Sequence, residues 1–168
     1  MRNVAKALDR LNQWVFNMIA VIFGVVSLLT LYQVFARYVL KDPLVWSEEV
    51  IRYFIIWIVF LGMAVAVRKG LLISVEIVQH NVPRKVRKFM GLLTVLVNMF
   101  FLLILIVYGF GIMDNLAGQT TGSIEIPVSW TYAAIPVGSV IAFLNCVVVM
   151  IELFLVKEGD KHGGDFIL

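Results

Sequence analysis

The sequence predicts an all-α integral membrane protein with four transmembrane helices, short interfacial amphipathic helices, and both ends in the cytoplasm. Hydrophobic residues make up 61% of the 168 residues, whereas soluble globular proteins contain roughly 45–50%. The apolar residues are concentrated in four long stretches, and the basic residues lie between them. A chain inserted in a lipid bilayer has this distribution, because charged side chains are costly in hydrocarbon.

The four apolar stretches predict spans at about 14–36, 50–67, 89–113 and 129–151, which form a single membrane domain over residues 1–168. About 20 helical residues cross the ~30 Å hydrocarbon core at 1.5 Å per residue. The first stretch is longer than the ~7–15-residue core of a signal peptide, so we expect it to be retained as a span.

Shorter amphipathic segments predict interfacial helices at about 2–13, 43–49 and 71–80. The first is expected to merge into the first span, and the second to continue into the second span. Asp42 can cap the second of these helices, with Pro43 at its first position, where the missing N–H costs nothing.

Backbone chemistry marks two further points in the chain. The run Arg68-Lys69-Gly70 is expected to end the second span, because basic residues followed by glycine are typical of a helix C-terminus. Pro136 lies inside the fourth stretch and predicts a kink, because proline removes one hydrogen bond from the helix ladder.

The distribution of Lys and Arg predicts the orientation of the chain. From the amino terminus, and with Arg52 at the start of the second span counted in the first connection, the five segments hold three, three, six, none and two basic residues. Eleven of the fourteen therefore lie on the side that holds both termini, and the positive-inside rule places that side in the cytoplasm. We expect the lipid bilayer, and not a nucleic acid, to be the surrounding partner of these charges.

The spans lack the residues that chemistry within a membrane requires. Between residues 14–36, 53–67, 89–113 and 129–151 there is no Asp, Glu, Lys, Arg or His. Both histidines lie outside the spans, which excludes haem ligation by paired histidines within the membrane. We therefore expect no catalytic residue, no bound cofactor and no metal site, and we do not expect an enzyme.

Three polar or thiol side chains within the spans still have to be explained. Asn98 and Asn145 are either ligand contacts or hydrogen bonds to a neighbouring helix, and the second interpretation is favoured. Cys146, the single cysteine, lies in an apolar run and is expected to pack as a small hydrophobic side chain.

The segment from residue 37 to 52 is the richest in charged and aromatic residues. Glu48 and Arg52 are spaced i, i+4 and can pair on one helix face. One neighbouring stripe of the same helix holds Trp46, Glu49, Val50, Tyr53 and Trp57. The segment is either an interfacial belt of aromatic anchors or a surface that meets a partner protein. The candidate partner-interface residues are Arg37, Trp46, Glu48, Glu49, Arg52 and Trp57.

The order of several short motifs resembles a known family. The motifs are Arg37-Tyr38-Val39, Trp46-Ser47-Glu48-Glu49, Arg52-Tyr53, Trp57, Phe60-Leu61-Gly62, Arg68-Lys69-Gly70, Gly118-Gln119-Thr120, Ile126-Pro127-Val128-Ser129-Trp130, Tyr132, Pro136 and Gly138. Together they are similar to the small membrane (Q) subunit of tripartite ATP-independent periplasmic (TRAP) transporters. Two positions depart from the family pattern: Leu72 stands where a histidine is frequent, and Gly122 replaces a common proline.

The resemblance implies a role in transport at the bacterial inner membrane. In such systems a periplasmic substrate-binding protein delivers an organic acid, such as a dicarboxylate or sialic acid, to a large membrane (M) subunit. A sodium gradient drives uptake. The small subunit is expected to bind no cofactor itself, to brace the large subunit as a scaffold, and to help dock the binding protein.

Two other hypotheses belong to different classes. One is a self-sufficient small transporter or channel that acts as a homo-oligomer and uses Asn98, Asn145 or Gln33 in its pore. The other is the membrane anchor of a redox enzyme, which would carry no b-type haem because the spans contain no histidine.

Overall fold

Four long apolar stretches form helices in the computed structural model, which describes residues 2–70, 84–123 and 125–155. Helix α1 is Arg2–Phe35, α2 is Val45–Arg68, α3 is Arg84–Asn115, α4 is Val128–Tyr132 and α5 is Ala134–Leu155. The apolar parts long enough to cross a membrane are Lys6–Leu40, Val45–Arg68, Phe89–Asn115 and Val128–Glu152. All four predicted spans are thus confirmed as helices.

Helix α1 is continuous, so the helix predicted over residues 2–13 runs into the first span, as expected. Its 34 residues correspond to about 51 Å, well beyond the ~30 Å hydrocarbon core. No proline or glycine interrupts its first turns, and Asn12 is buried against the bundle. In this segment Leu8 is partly buried and Leu11 is 44% exposed, so its apolar side chains are only partly covered by other helices of the same chain.

A π-helical turn, Ala36–Leu40, follows α1 and ends at Lys41, which has a left-handed φ of 56°. The N–H groups of Lys41 and Asp42 both donate to the carbonyl of Ala36. Asp42 therefore closes the preceding turn. The prediction that Asp42 caps α2 is wrong. Leu44 is the residue that precedes α2.

The first turn of α2 is closed by a serine. Both the N–H of Ser47 and its hydroxyl donate to the carbonyl of Leu44, at 3.1 and 2.7 Å. The segment predicted over 43–49 is the start of α2 and continues into the second span, as expected, with the helix itself beginning at Val45.

The end of α2 matches the prediction. The helix ends at Arg68, and Gly70 takes a left-handed φ of 71°, a conformation that glycine adopts without a Cβ penalty. The Lys69 ammonium lies 4.1 Å from the centroid of the Phe16 ring on α1. The interfacial helix expected over 71–80 lies outside the described residues.

The fourth span is interrupted, as Pro136 predicts. Helix α4 ends at Tyr132 and α5 begins at Ala134. Pro136 has no N–H to donate to the carbonyl of Tyr132, so the regular ladder is broken at this turn. Before α4 the chain folds back on itself, and the N–H of Val128 donates to the carbonyl of Gln119 at 2.9 Å.

Helices α2 and α5 form the centre of the bundle, α1 packs mainly against α2, and α3 packs mainly against α5. One apolar cluster joins α2, α3 and α5 and contains Ala64, Val67, Val95, Leu102, Ala142 and Cys146. A second cluster joins α1 and α2 through Val15, Leu61 and Val65. Cys146 is buried in the first cluster, as the sequence predicts.

Helices α2 and α5 approach each other closely at a glycine. A Cβ added to Gly138 would lie 2.7 Å from the Cβ of Phe60 and 2.8 Å from its carbonyl oxygen. Backbone atoms cannot move aside as a flexible side chain can, so only glycine allows this separation of the two central helices.

We predict that Gly138→Ala lowers the stability of the purified chain by about 1–3 kcal/mol, the usual cost of overpacking. The matched control is Gly62→Ala on α2, where a new Cβ meets nothing within 4 Å. That variant is expected to be neutral, or more stable by up to about 1 kcal/mol, because alanine favours the helix. The measurement is the denaturation midpoint in detergent. Equal midpoints for the two variants would contradict this account of the α2–α5 contact.

Candidate functional site

Charged residues lie at two ends of the bundle. The first, which we call the Arg37 end, is built by the π-helical turn after α1 and the first turns of α2. Arg37 Nη2 lies 3.2 Å from Glu48 Oε1, and both side chains are about half exposed. An exposed pair of this kind contributes about 0–1 kcal/mol to stability, so it leaves both charges accessible to a partner.

This pair differs from the one expected from the i, i+4 spacing. Within the described residues, Glu48 pairs with Arg37 and not with Arg52. The cause is the tight link at Lys41 and Asp42, which brings the π-helical turn that follows α1 beside the first turn of α2.

Glu49 joins the Arg37 end to the turn before α4. Its Oε1 accepts a hydrogen bond from the backbone N–H of Ser123, at 3.3 Å. Its Oε2 is shielded from solvent and, like the hydroxyl of Tyr53 one turn further along, has no hydrogen-bond partner among the described residues. Glu49 therefore positions the Ser123 turn, and one of its oxygens can still accept a hydrogen bond.

The other candidate interface residues lie in different surroundings. Trp46 and Arg52 are exposed on α2 near the Arg37 end. Trp57 instead packs against the cluster of Val15, Leu61 and Val65. The structure thus brings Arg37, Trp46, Glu48, Glu49 and Arg52 to one end and places Trp57 inside the chain's own packing.

The opposite end, which we call the Arg68 end, holds an ion cluster that the sequence analysis missed. The Arg68 guanidinium donates to Asp9 on α1 at 2.7 Å, and to both carboxylate oxygens of Glu152 on α5 at 2.8 and 3.0 Å. The Arg68 side chain is only 14% exposed. Two-pronged pairing suits a guanidinium, and here it ties three helices together.

A buried amide pair lies on the bilayer side of this ion cluster. Asn12 and Asn145 donate to each other's carbonyl oxygens at 2.8 Å, and Asn145 also donates to the backbone carbonyl of Ala64 at 2.8 Å. Asn145 is fully buried. The expectation that Asn145 hydrogen-bonds a neighbouring helix is confirmed. The role of Asn12 was missed, because its segment was assigned to the membrane surface.

The arrangement of these groups suits fastening rather than chemistry. Among the residues that the structure describes, no group of three or more His, Cys, Asp or Glu side chains could hold a metal ion. The ion cluster and the amide pair link α1, α2 and α5, and the apolar clusters fill the space between the two ends.

The chain matches a family model described as "Tripartite ATP-independent periplasmic transporters, DctQ component", over residues 26–156. It is also similar to three curated proteins. The sialic acid TRAP transporter permease protein SiaT of Haemophilus influenzae is 27% identical over 133 residues, which cover 79% of this chain and 21% of SiaT. The sialic acid small permease protein SiaQ of Vibrio cholerae is 26% identical over 65% of this chain and 63% of SiaQ.

The third relative is the C4-dicarboxylate TRAP transporter small permease protein DctQ of Rhodobacter capsulatus. It is 28% identical over 57% of this chain and 43% of its own length. The chain therefore covers less than two thirds of the length of each of these relatives.

We predict that Asn12→Leu and Asn145→Leu each destabilise the chain, because each leaves amide groups without partners inside the bundle. The double variant should show a coupling energy of about 0.6–1.7 kcal/mol, the size of interhelical hydrogen bonds in membranes. Asn98→Leu on α3 is the matched control, because the Asn98 side chain makes no hydrogen bond among the described residues, although a bond to a neighbouring helix was expected. Denaturation midpoints in detergent give all four values. Strictly additive effects would show that the pair does not hold the helices.

Proposed function

Because this chain belongs to the DctQ component family of tripartite ATP-independent periplasmic transporters, we propose that it is a small scaffold subunit that braces a large membrane subunit. The family is that of a transporter component and not of an enzyme. Family membership and the four spanning helices make the chain a multi-pass protein of the inner membrane.

One observation carries the scaffold role. The two amide side chains buried between the helices, Asn12 and Asn145, are bonded to each other and to a backbone carbonyl of the same chain. The buried hydroxyls of Thr131 and Ser139 have no hydrogen-bond partner among the described residues. Carriers place polar or broken-helix sites near the middle of the membrane, where the substrate can reach them. A chain that uses its buried amides to fasten its own helices is suited to a mechanical role beside a carrier.

The relatives support a proposal for the partner and the substrate class. SiaT aligns with this chain over only 21% of its length, so in that relative the similar segment is part of a much longer permease chain. The names of the relatives refer to sialic acid and C4-dicarboxylates, which are carboxylates. We propose that the complex imports an organic acid of this class, is coupled to a sodium gradient, and receives its substrate from a periplasmic binding protein.

The orientation of the chain in the membrane decides which compartment each end of the bundle faces. The Arg68 end and both termini are proposed to lie in the cytoplasm, and the excess of basic residues in the segments beside that end supports this orientation. The Arg37 end then faces the periplasm, where a binding protein arrives. Its exposed charges suit the docking of a soluble partner, because rim charges steer encounter and fix the orientation of the partner.

The test is reconstitution with and without the large subunit of the same organism. The chain is expected to co-purify with that subunit, and vesicles containing both, supplied with the binding protein and a sodium gradient, should accumulate labelled sialic acid or succinate. Vesicles containing this chain alone should accumulate neither. Accumulation by the chain alone would instead support the self-sufficient transporter and overturn the scaffold role.

We predict that Glu48→Ala and Arg52→Ala raise the binding-protein concentration that gives half-maximal uptake, by roughly threefold to tenfold. The melting midpoint should not change, because both side chains are exposed. Glu49→Ala should also lower the midpoint, because it removes the bond to the N–H of Ser123. Lys69→Ala, at the opposite end, is the control. Unchanged uptake by Glu48→Ala and Arg52→Ala would leave the Arg37 end as an interfacial belt.

A further inference from the structure

The two helices that flank the bundle, α1 and α3, present different surfaces to their surroundings. The exposed surface of α3 consists largely of big apolar side chains, among them Phe100, Phe101 and Val107. The hydroxyl of Thr94 on α3 is satisfied within the helix, by the carbonyl of Met90 at 2.9 Å. Apart from the exposed Tyr108 and the partly exposed Asn98, this surface has the composition that lipid tails require.

The exposed surface of α1 also carries amide groups and small residues. We define the outward α1 stripe as Gln13, Asn17, Ala20, Gly24, Leu28 and Leu31, which recur at three- and four-residue steps. The stripe lies on the side of α1 opposite to Asn12, Val15 and Val26, which are buried in the bundle. It is therefore the part of α1 furthest from the chain's own packing.

Part of this stripe lies at hydrocarbon depth. At ~1.5 Å per residue, Asn17 lies about 12 Å along α1 from Asp9, which belongs to the ion cluster of the Arg68 end. Arg37 at the other end lies about 42 Å from Asp9 by the same rise, and this matches the ~40–45 Å of a bilayer with its headgroups. Asn17 thus lies deeper in the bilayer than the headgroup zone that Asp9 marks.

The amides of the stripe are only partly satisfied. Gln13 Nε2 donates to Asn17 Oδ1 at 3.1 Å, and the pair is exposed. Within the described residues, the amide N–H groups of Asn17 and the carbonyl oxygen of Gln13 make no other side-chain hydrogen bond. Lipid tails can neither donate nor accept hydrogen bonds, so a polar pair at this depth favours contact with another protein.

The same stripe leaves room for a close neighbour. A Cβ added to Gly24 would meet nothing within 4 Å, and Ala20 is exposed one turn earlier. Small residues at this spacing allow the backbones of two transmembrane helices to approach closely. The amides give a helix partner its hydrogen bonds, and the small residues give it van der Waals contact.

We propose that the outward α1 stripe receives a transmembrane helix of the large permease subunit. This proposal rests on the proposed function and adds the surface at which the two subunits meet. The receiving helix has a hydrogen-bonding side chain at the depth of Asn17 and a flat surface opposite Gly24. The long permease chain of SiaT favours this occupant over a second copy, because a segment similar to this one is there part of the same polypeptide as the rest of the permease.

Photo-cross-linking compares the two flanking helices directly. A photoreactive residue is placed at Leu28 or Leu31 on the stripe, and at Phe100 or Val107 on α3. All four sites are 67–68% exposed. In membranes containing the complete transporter, the two α1 sites should give adducts with the large subunit and the two α3 sites should not. Large-subunit adducts confined to the α3 sites, or α1 adducts only with a second copy of this chain, would overturn the proposal.

Substitution provides an independent readout. Gly24→Leu and Asn17→Leu should each lower the amount of large subunit that co-purifies by about tenfold, which corresponds to roughly 1.4 kcal/mol. Gly111→Leu on α3 is the matched control, because Gly111 is also exposed and open. It should retain the partner. The melting midpoint of each variant alone is expected to stay unchanged, because the stripe lies outside the chain's own packing.

The outcomes separate this proposal from the proposed function. If the unmodified chain retains the large subunit and Gly24→Leu retains it equally, the stripe is not the interface, although the scaffold role stands. If the unmodified chain retains no large subunit, the scaffold role fails and the stripe loses its occupant. Loss of the partner with Gly24→Leu but not with Gly111→Leu supports both.

Discussion

The buried amide pair of Asn12 and Asn145 is the contact on which the arrangement of α1, α2 and α5 depends. When two helices slide past one another in a bilayer, their apolar side chains remain in apolar surroundings, because lipid tails are about as apolar as leucine side chains. Hydrogen bonds differ, since they act over a narrow range of distance and angle. Three bonds of 2.8 Å join the two side chains and the carbonyl of Ala64. They fix the rotation and the register of three helices at one point, and the Arg68 cluster repeats this at the nearby end.

The central position of α2 and α5 has a steric cause. Gly138 lets the two backbones meet where any side chain would clash with Phe60, and Gly109 on α3 lies beside Pro136 in the same way. Small residues therefore determine which helices come together, and large side chains on α1 and α3 remain on the outside. The bundle is held by a few close contacts at its centre and keeps a large apolar surface for lipid and for partners.

The elements that depend on local sequence could be predicted, and the long-range pairings could not. Hydropathy predicted the four spans, Gly70 the end of α2 and Pro136 the interruption of the last span, because each depends on neighbouring residues. Partners distant in sequence, such as Asn12 for Asn145, are not visible in the sequence, since the rotation of each helix decides which side chains meet. The pairing of Glu48 with Arg37 is another case. The i, i+4 spacing also allowed Glu48 to pair with Arg52, and only the packed positions of the helices decide between the two arginines.

These contacts bear on how the chain could take part in transport. A carrier that moves a solute must expose its site first to one side and then to the other, which requires helices to change their relative positions. In this chain the central helices touch at the backbone, and α1, α2 and α5 are tied by an amide pair and an ion cluster. Any relative movement of these helices would break several bonds at once and leave amides and charges unpaired near the bilayer. Under the scaffold role proposed above, we expect this frame to remain fixed while the large subunit moves.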